Sequence, residues 1–548
     1  MIICFASCKT KRAATEIIIV DDPQQMDAKI AENIKAALLF AQDNSGKIND
    51  TIALSQFDMV NKFYEKNDFQ NIWSKEEIGL PLADSLFQFI NNAAAAGLYR
   101  ADYHFSDLDS LRYKIANDSL VRRDANAWTK ADIMYTDAFM RICKDLKEGR
   151  LLPDSVSITR KSNYVDSFFI KNLLSAKNGG NITNIFSAME PDIIDYQHLR
   201  SGLKEFVLNM DSTRYLYINY PYKDTAAFMK SVIRRLQQAG FKSESDQSSD
   251  SSEFKRLVKK YQQENGLVVD GKPGQQVINK LNLNDREKFR RIAVTLDRYK
   301  LLPTLPENYI WANIPEYYLK VMDNDSVVLR SKIIVGKPLT RTPLIVSAIS
   351  DMVTYPKWTI PQSIIRKDIL PQLKVNPGYL ARKGFSLVDS KGETVDPYSV
   401  NWSKYKKGIP WNVVQGSGDD NALGIFKFNF NNPYSVYLHD TNQRYLFSNK
   451  DRALSHGCVR VQNWQALSYF IARRDSLAMP EGKSPSYNED SLKTWIANKD
   501  RKRIMVKKPL SLFIVYFTCI ADDLGQITFY NDIYNDDQNL ARKYFSGK

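Results

Sequence analysis

The chain has 548 residues, 43% of them hydrophobic and 12% aromatic, too many for one core and consistent with about three folded domains. Its net charge of +14 suits an anionic partner or a solvated surface with no special partner; no nucleic-acid-binding fingerprint accompanies it, so nucleic acid is not expected and another anionic polymer suits the sign equally well. No apolar run reaches the ~18 residues that a membrane-spanning helix requires.

At the N-terminus, Ile2-Ile3-Cys4-Phe5-Ala6-Ser7-Cys8 is a short apolar run. It resembles the lipobox of a bacterial lipoprotein signal, with Cys8 as the lipidated residue and a membrane tether as the consequence. The apolar stretch is shorter than a working signal and no basic residue precedes it. Residues 1–29 are read as a tether that includes Lys9-Thr10-Lys11-Arg12.

Residues 30–220 carry helical periodicity, clearest in Ala31–Gln42, Leu82–Ala95 and Ala131–Lys147. No catalytic constellation occurs there, and the polar positions read as solvated helix faces. Cys143 here and Cys519 near the C-terminus sit in apolar contexts expected to bury free thiols, a disulfide between them being the alternative.

Residues 221–300 are expected to form a small helical module. Phe228–Gln238 is one helix, and Phe254, Leu257, Val258 and Tyr261 are spaced along another. Gly266 suits a position just past a helix end, and Asp270-Gly271 signals a turn. Ser243–Ser252 reads as a polar surface loop. The Gly-Leu-x-x-Asp-Gly-x-x-Gly core resembles that of the three-helix peptidoglycan-binding domain. The resemblance speaks for the fold more than for glycan affinity.

Two of the four histidines fall close to Cys458, in Tyr437-Leu438-His439-Asp440 and Ser455-His456-Gly457-Cys458-Val459-Arg460. A cysteine nucleophile needs a base, and imidazole titrates near neutrality. Gly457 permits a turn that aims backbone N–H groups at one point, as an oxyanion hole requires. On an extended strand Tyr437 and His439 share a face, and Asp440 faces away and cannot orient the base. A zinc site of His439, His456 and Cys458 is the competing reading, although the spacing matches no usual zinc pattern. Arg460 is either a strand-end arginine or a fork for a substrate carboxylate. Asn463 is expected to cap a helix over Trp464–Arg473.

The pattern His-x15-Ser-His-Gly-Cys resembles the signature of the L,D-transpeptidases. Asn421–Phe428, Trp358–Pro361, Arg366–Pro371 and Asn376–Leu380 resemble long-form members, in which a capping subdomain is inserted into the catalytic fold. Many members carry Asn where this chain has Arg460, which bears on the local substrate contact alone. The expected fold is multidomain α+β: a helical scaffold domain, the three-helix module, and a mainly β catalytic domain over 301–548 with a cap near 358–420.

The resemblance implies a periplasmic enzyme acting on peptidoglycan stem peptides without metal or organic cofactor. Cys458 would attack as nucleophile and His439 would be the base. His456 and Gly457 would complete the catalytic group, with Ser455, Tyr437 and Arg460 bordering the substrate. A tetrapeptide donor would give a 3→3 cross-link through a cysteine thioester, and carbapenems would acylate the same thiol. Hydrolysis of that thioester, as in an L,D-carboxypeptidase, and a non-catalytic wall-binding lipoprotein are the alternatives.

Overall fold

The computed structural model describes residues 17–151, 164–242, 251–480 and 485–544; the lipobox-like segment with Cys8 and most of the predicted Ser243–Ser252 loop lie outside them. The N-terminal helices share a core that runs from Val20 to Met189. Its axis is helix α1 (Ala125–Lys147), capped by the Asp124 carboxylate and buried on most of its circumference. Burial on that scale forces α1's acids to find partners. Asp132 accepts from the Tyr64 hydroxyl at 2.6 Å and the Trp73 amide at 3.0 Å, and Asp137 accepts from the Gln56 amide at 2.7 Å. Cys143 on α1 and Cys519 are both buried free thiols.

Helix α2 (Ile194–Leu208) leaves this bundle and joins a second core. The small module follows: α3 (Thr225–Gln238), α4 (Ser251–Glu264) and α5 (Gln275–Asn282) pack Phe228, Val232, Leu257, Val258, Tyr261, Val277 and Leu281 together. Gly266 has φ +65°, the left-handed geometry expected past the end of α4. Segment 221–300 nevertheless feeds two cores. Its last helix, α6 (Asp285–Lys300), packs with α2 and the catalytic strands rather than with α3–α5. Lys300 on α6 donates to the Asp145 carbonyl and to Asp297, and Tyr299 stacks on Phe517 at 4.5 Å, so this helix joins scaffold to catalytic domain.

The catalytic domain begins with β1 (Asn308–Asn313), β2 (Tyr318–Asp323), β3 (Ser326–Gly336) and β4 (Ile345–Thr354). The chain then leaves the sheet for the expected cap, which has its own three-stranded sheet: β5 (Trp358–Thr359), β6 (Phe385–Val388) and β7 (Asn412–Gln415), with β7 in the centre. Ile365, Ile369, Leu373, Leu387, Trp402 and Val413 form a separate core there. The main sheet resumes with β8 (Phe426–Phe430), β9 (Leu438–His439), β10 (Ala453–Ser455) and β11 (Val459–Val461). Helix α7 (Trp464–Leu477) and strand β12 (Arg503–Val515) complete it. The Asn463 side chain does not cap α7 but donates to the Arg330 carbonyl on β3 at 2.9 Å, pinning the helix start to the sheet.

The strand order is β10-β3-β11-β9-β8-β4-β12-β1-β2. The first half of β3 pairs with β2 and its second half with β11, which closes the circuit. Alternation then decides which side chains reach the interior. Phe426, Phe428, Leu438, Val459 and Val461 enter the core, and the intervening positions of the same strands point to the opposite face, beneath the cap.

Candidate active site

Strands β9 and β11 run parallel, with Leu438 opposite Val459 and His439 opposite Arg460; the Val459 amide donates to the Tyr437 carbonyl at 3.1 Å. This register sets Cys458 beside Tyr437, with His439 two positions further along the same face, the one that Leu438 and Val459 leave free. Tyr437 and His439 share that face as expected, their rings 5.6 Å apart edge to face.

His439 is buried, and its Nδ1 donates to the Asp440 carbonyl. A carbonyl can only accept, so Nδ1 carries the proton and Nε2 keeps the lone pair. Burial, followed by the charges of Arg460 and Lys427, pushes the imidazole pKa down to about 3 against the pull of the Asp440 and Leu423 backbones. The Asp440 carboxylate takes no part: it accepts from the Ile425 amide at 3.1 Å and from Arg444 at 2.7 Å.

The Cys458 thiol is raised by burial, and Tyr437, Lys427 and Arg460 pull it back only partly. Thiol and imidazole are therefore both neutral at neutral pH. Two neutral groups of this kind are not a preformed thiolate–imidazolium pair; a thiol in that state attacks only if a base takes its proton at the moment of attack.

The turn that carries Cys458 is held from behind. Gly457 has φ +123°, a conformation that favours glycine. The Ser455 hydroxyl donates to the Cys458 carbonyl at 2.6 Å and accepts from the Gly457 amide at 3.1 Å. Ser455 is thus buried as a brace of the turn, with its hydroxyl bonded within it, and the Gly457 N–H is already used. Among the described residues no acceptor occupies the Cys458 N–H, which leaves it as the backbone donor for an oxyanion. The Thr342 hydroxyl donates to the Gly457 carbonyl at 2.8 Å and accepts from the Gly336 amide at 2.8 Å. The Tyr534 hydroxyl accepts from the Thr342 amide at 3.1 Å and donates to the Gly336 carbonyl at 2.7 Å.

His456 has a partner outside the turn: its Nε2 lies 2.9 Å from Asp368 Oδ2 in the cap. The zinc reading needed His456 together with Cys458 and His439, and among the described residues no group of three His, Cys, Asp or Glu side chains could hold a metal. Arg460 is half-buried; its Nη1 reaches Gln443 at 3.2 Å, and its Nε is buried without a partner among the described residues. That open donor suits an incoming carboxylate.

Lys427 was not singled out from the sequence. It lies opposite His439 in the β8–β9 register, with its ammonium 4.0 Å from the Tyr437 ring centroid. Phe426-Lys427-Phe428 alternates as a half-buried strand, so the outward aim of Lys427 was legible, but not what it faces. Trp358, the first residue of β5, borders the Tyr437 hydroxyl and brings the cap to the site.

Comparison with known proteins agrees with this geometry. Residues 307–473 match the L,D-transpeptidase catalytic domain (YkuD), residues 58–203 a scaffold domain, and residues 226–281 the family described as "Putative peptidoglycan binding domain". A Haemophilus influenzae protein named "Putative L,D-transpeptidase" is 34% identical over 251 residues, 46% of this chain and 49% of the relative, so the match spans about half of each. The crystal structure of an L,D-transpeptidase (Yku) from Stackebrandtia nassauensis aligns over 55% of this chain and 97% of its own at 14% identity, with a TM-score of 0.16, too low to bear on the fold. The chain carries an L,D-transpeptidase catalytic domain behind a scaffold domain and a peptidoglycan-binding-type module.

Proposed function

We propose that the protein is a peptidoglycan L,D-transpeptidase that forms 3→3 cross-links through a Cys458 thioester. The observation that supports this reading is the pairing of β9 with β11, which puts Cys458 and His439 on one face of adjacent strands, with the Nδ1–H of the imidazole held by the Asp440 carbonyl.

The chemistry follows from that pair. A tetrapeptide stem presents the carbonyl of its third residue to Cys458. His439 Nε2 takes the thiol proton as sulfur attacks, and the Cys458 N–H faces the developing oxyanion. The C–N bond to the terminal D-Ala breaks, and the departing amine leaves with the proton from His439. An amine on a second stem then attacks the thioester, gives its proton to His439, and releases the thiol. Arg460 binds a stem carboxylate through its open edge. The cap beside Tyr437 limits water access, which favours the amine over hydrolysis. A peptidoglycan substrate would put the chain in the bacterial periplasm, and lipidation at Cys8 would tether it there.

Incubation with purified disaccharide-tetrapeptide followed by mass spectrometry tests the reading. Cross-linked dimer is the expected product. Tripeptide alone would assign an L,D-carboxypeptidase, and unchanged substrate a wall-binding protein.

A further inference from the structure

Lys427 is a charged group without a counterion. Among the described residues its ammonium makes no hydrogen bond or ion pair and rests on the Tyr437 ring at 4.0 Å. The nearest acid is already engaged: Asp351 Oδ1 accepts from Asn429 at 2.8 Å and from Arg503 Nε at 3.1 Å. Lys427 is half-buried, and burial pushes its ammonium down while Cys458 lies close enough to oppose that. An ammonium held partly out of water costs free energy that a ring contact offsets only in part. Such a position is satisfied when a ligand supplies the anion.

The register fixes where that anion would lie. Arg460, His439 and Lys427 stand opposite one another on β11, β9 and β8. With strands ~4.8 Å apart, the backbone positions that carry the two cations lie ~10 Å apart across the base. Arg460 also has a buried donor without a partner among the described residues, so two cations with unmet polar atoms flank His439, one on each side.

We propose that Lys427 forms a second carboxylate subsite, for a peptide carboxylate within about one residue of the scissile carbonyl. This rests on the reading of Cys458 as an acyl-accepting nucleophile and extends it to a donor recognised by two carboxylates, one at Arg460 and one at Lys427. Lys427 is then a specificity-determining residue: it selects donors that keep a free carboxylate beside the bond to be broken and discriminates against amidated ones.

The anion preference is measurable without any peptidoglycan substrate. Iodoacetate and iodoacetamide alkylate a thiol by the same displacement of iodide and differ in charge. Their rates at Cys458, followed by mass spectrometry of the Cys458 peptide, give a ratio that cancels differences in thiol ionisation. The unaltered protein should show an iodoacetate:iodoacetamide ratio above that of a free thiol such as N-acetylcysteine, declining with added salt. Lys427→Met should lower the ratio roughly three- to tenfold, the scale of one partly buried charge pair, while Lys427→Arg should keep most of it. A wild-type ratio at or below that of the free thiol overturns the proposal, as does a Lys427→Met protein with the wild-type ratio. If Lys427→Met does not fold, the wild-type ratio and Lys427→Arg still decide. In a second arm, KM for donors with a C-terminal carboxylate should rise in Lys427→Met and KM for C-terminal amides should not. Anion preference without turnover of any stem would overturn the transpeptidase reading and leave the subsite standing. Cross-linking that is indifferent to Lys427 and to amidation would overturn the subsite alone.

Discussion

His456 Nε2 and Asp368 Oδ2 stand 2.9 Å apart and join the nucleophile turn to the cap. Asp368 lies in a single π-helical turn, Ile365–Ile369, where Pro371 shortly downstream lacks the N–H of a regular helix. Both side chains are about half exposed, at 43% and 49%, so the pair is worth at most about 1 kcal/mol. His456→Ala and Asp368→Ala should each slow transpeptidation by no more than about fivefold. The double variant should be no worse than either single one, since they remove the same contact. Fully additive losses in steady-state rates would show that the two residues act separately.

His439→Ala should cost far more than His456→Ala. Loss of a general base typically lowers rates ~10²–10⁴-fold. Acylation by a carbapenem, followed as the mass increase at Cys458, reads this directly, and Cys458→Ser should show no acylation. A larger loss for His456→Ala would exchange the roles of the two imidazoles.

The pH dependence should carry no signature of an ordinary histidine. With its pKa pushed down to about 3, His439 stays neutral and able to accept a proton throughout the range in which a free imidazole would protonate. The acylation rate should therefore not fall through an inflection near pH 6.5. The thiol is raised by burial, so alkylation of Cys458 by iodoacetamide should keep increasing beyond the usual thiol range rather than level off near neutrality. A plateau at neutral pH would mean a preformed ion pair.

Arg460→Lys keeps the charge and loses the fork. If the open Nε edge receives a carboxylate, KM for tetrapeptide donors should rise by roughly tenfold, the scale of one charge-assisted hydrogen bond, with a smaller change in kcat. Unchanged kinetics would make Arg460 a brace for Thr441 and Gln443.

Thr342→Val removes a hydroxyl that bridges Gly336 and Gly457 and leaves a buried amide and carbonyl unpaired. The expected loss is about 1–3 kcal/mol in thermal or denaturant unfolding, accompanied by slower acylation, with Thr342→Ser close to wild type. A stable Thr342→Val protein with normal acylation would show that the turn holds itself.

Local chemistry was the readable part of this sequence. Period-two alternation placed Tyr437 and His439 on one face and excluded Asp440; helical spacing and Gly266 marked a small helical module, and its resemblance to a known domain supplied the three-helix fold. What escaped was set by pairing across long separations. His456 and Asp368 are 88 positions apart, and nothing in Ser-His-Gly-Cys says that its histidine meets a carboxylate of the cap. Ser455 looked like a substrate contact because hydroxyls near nucleophiles often are; only the closed turn shows both of its hydrogen bonds spent within 455–458. Lys427 alternates correctly, but its meaning comes from its register against His439. Helix α6 carries helical periodicity that says nothing about which of two cores receives it.

The brace behind Gly457 also sets an order of events in making the protein. Synthesis runs from the N-terminus, so Cys458 and His439 exist well before Tyr534, whose hydroxyl completes the support of the Gly336–Thr342–Gly457 bridge. The support of the turn beneath Cys458 is thereby spread over 198 positions of sequence, and residues at the far end of the chain finish what those around Cys458 begin.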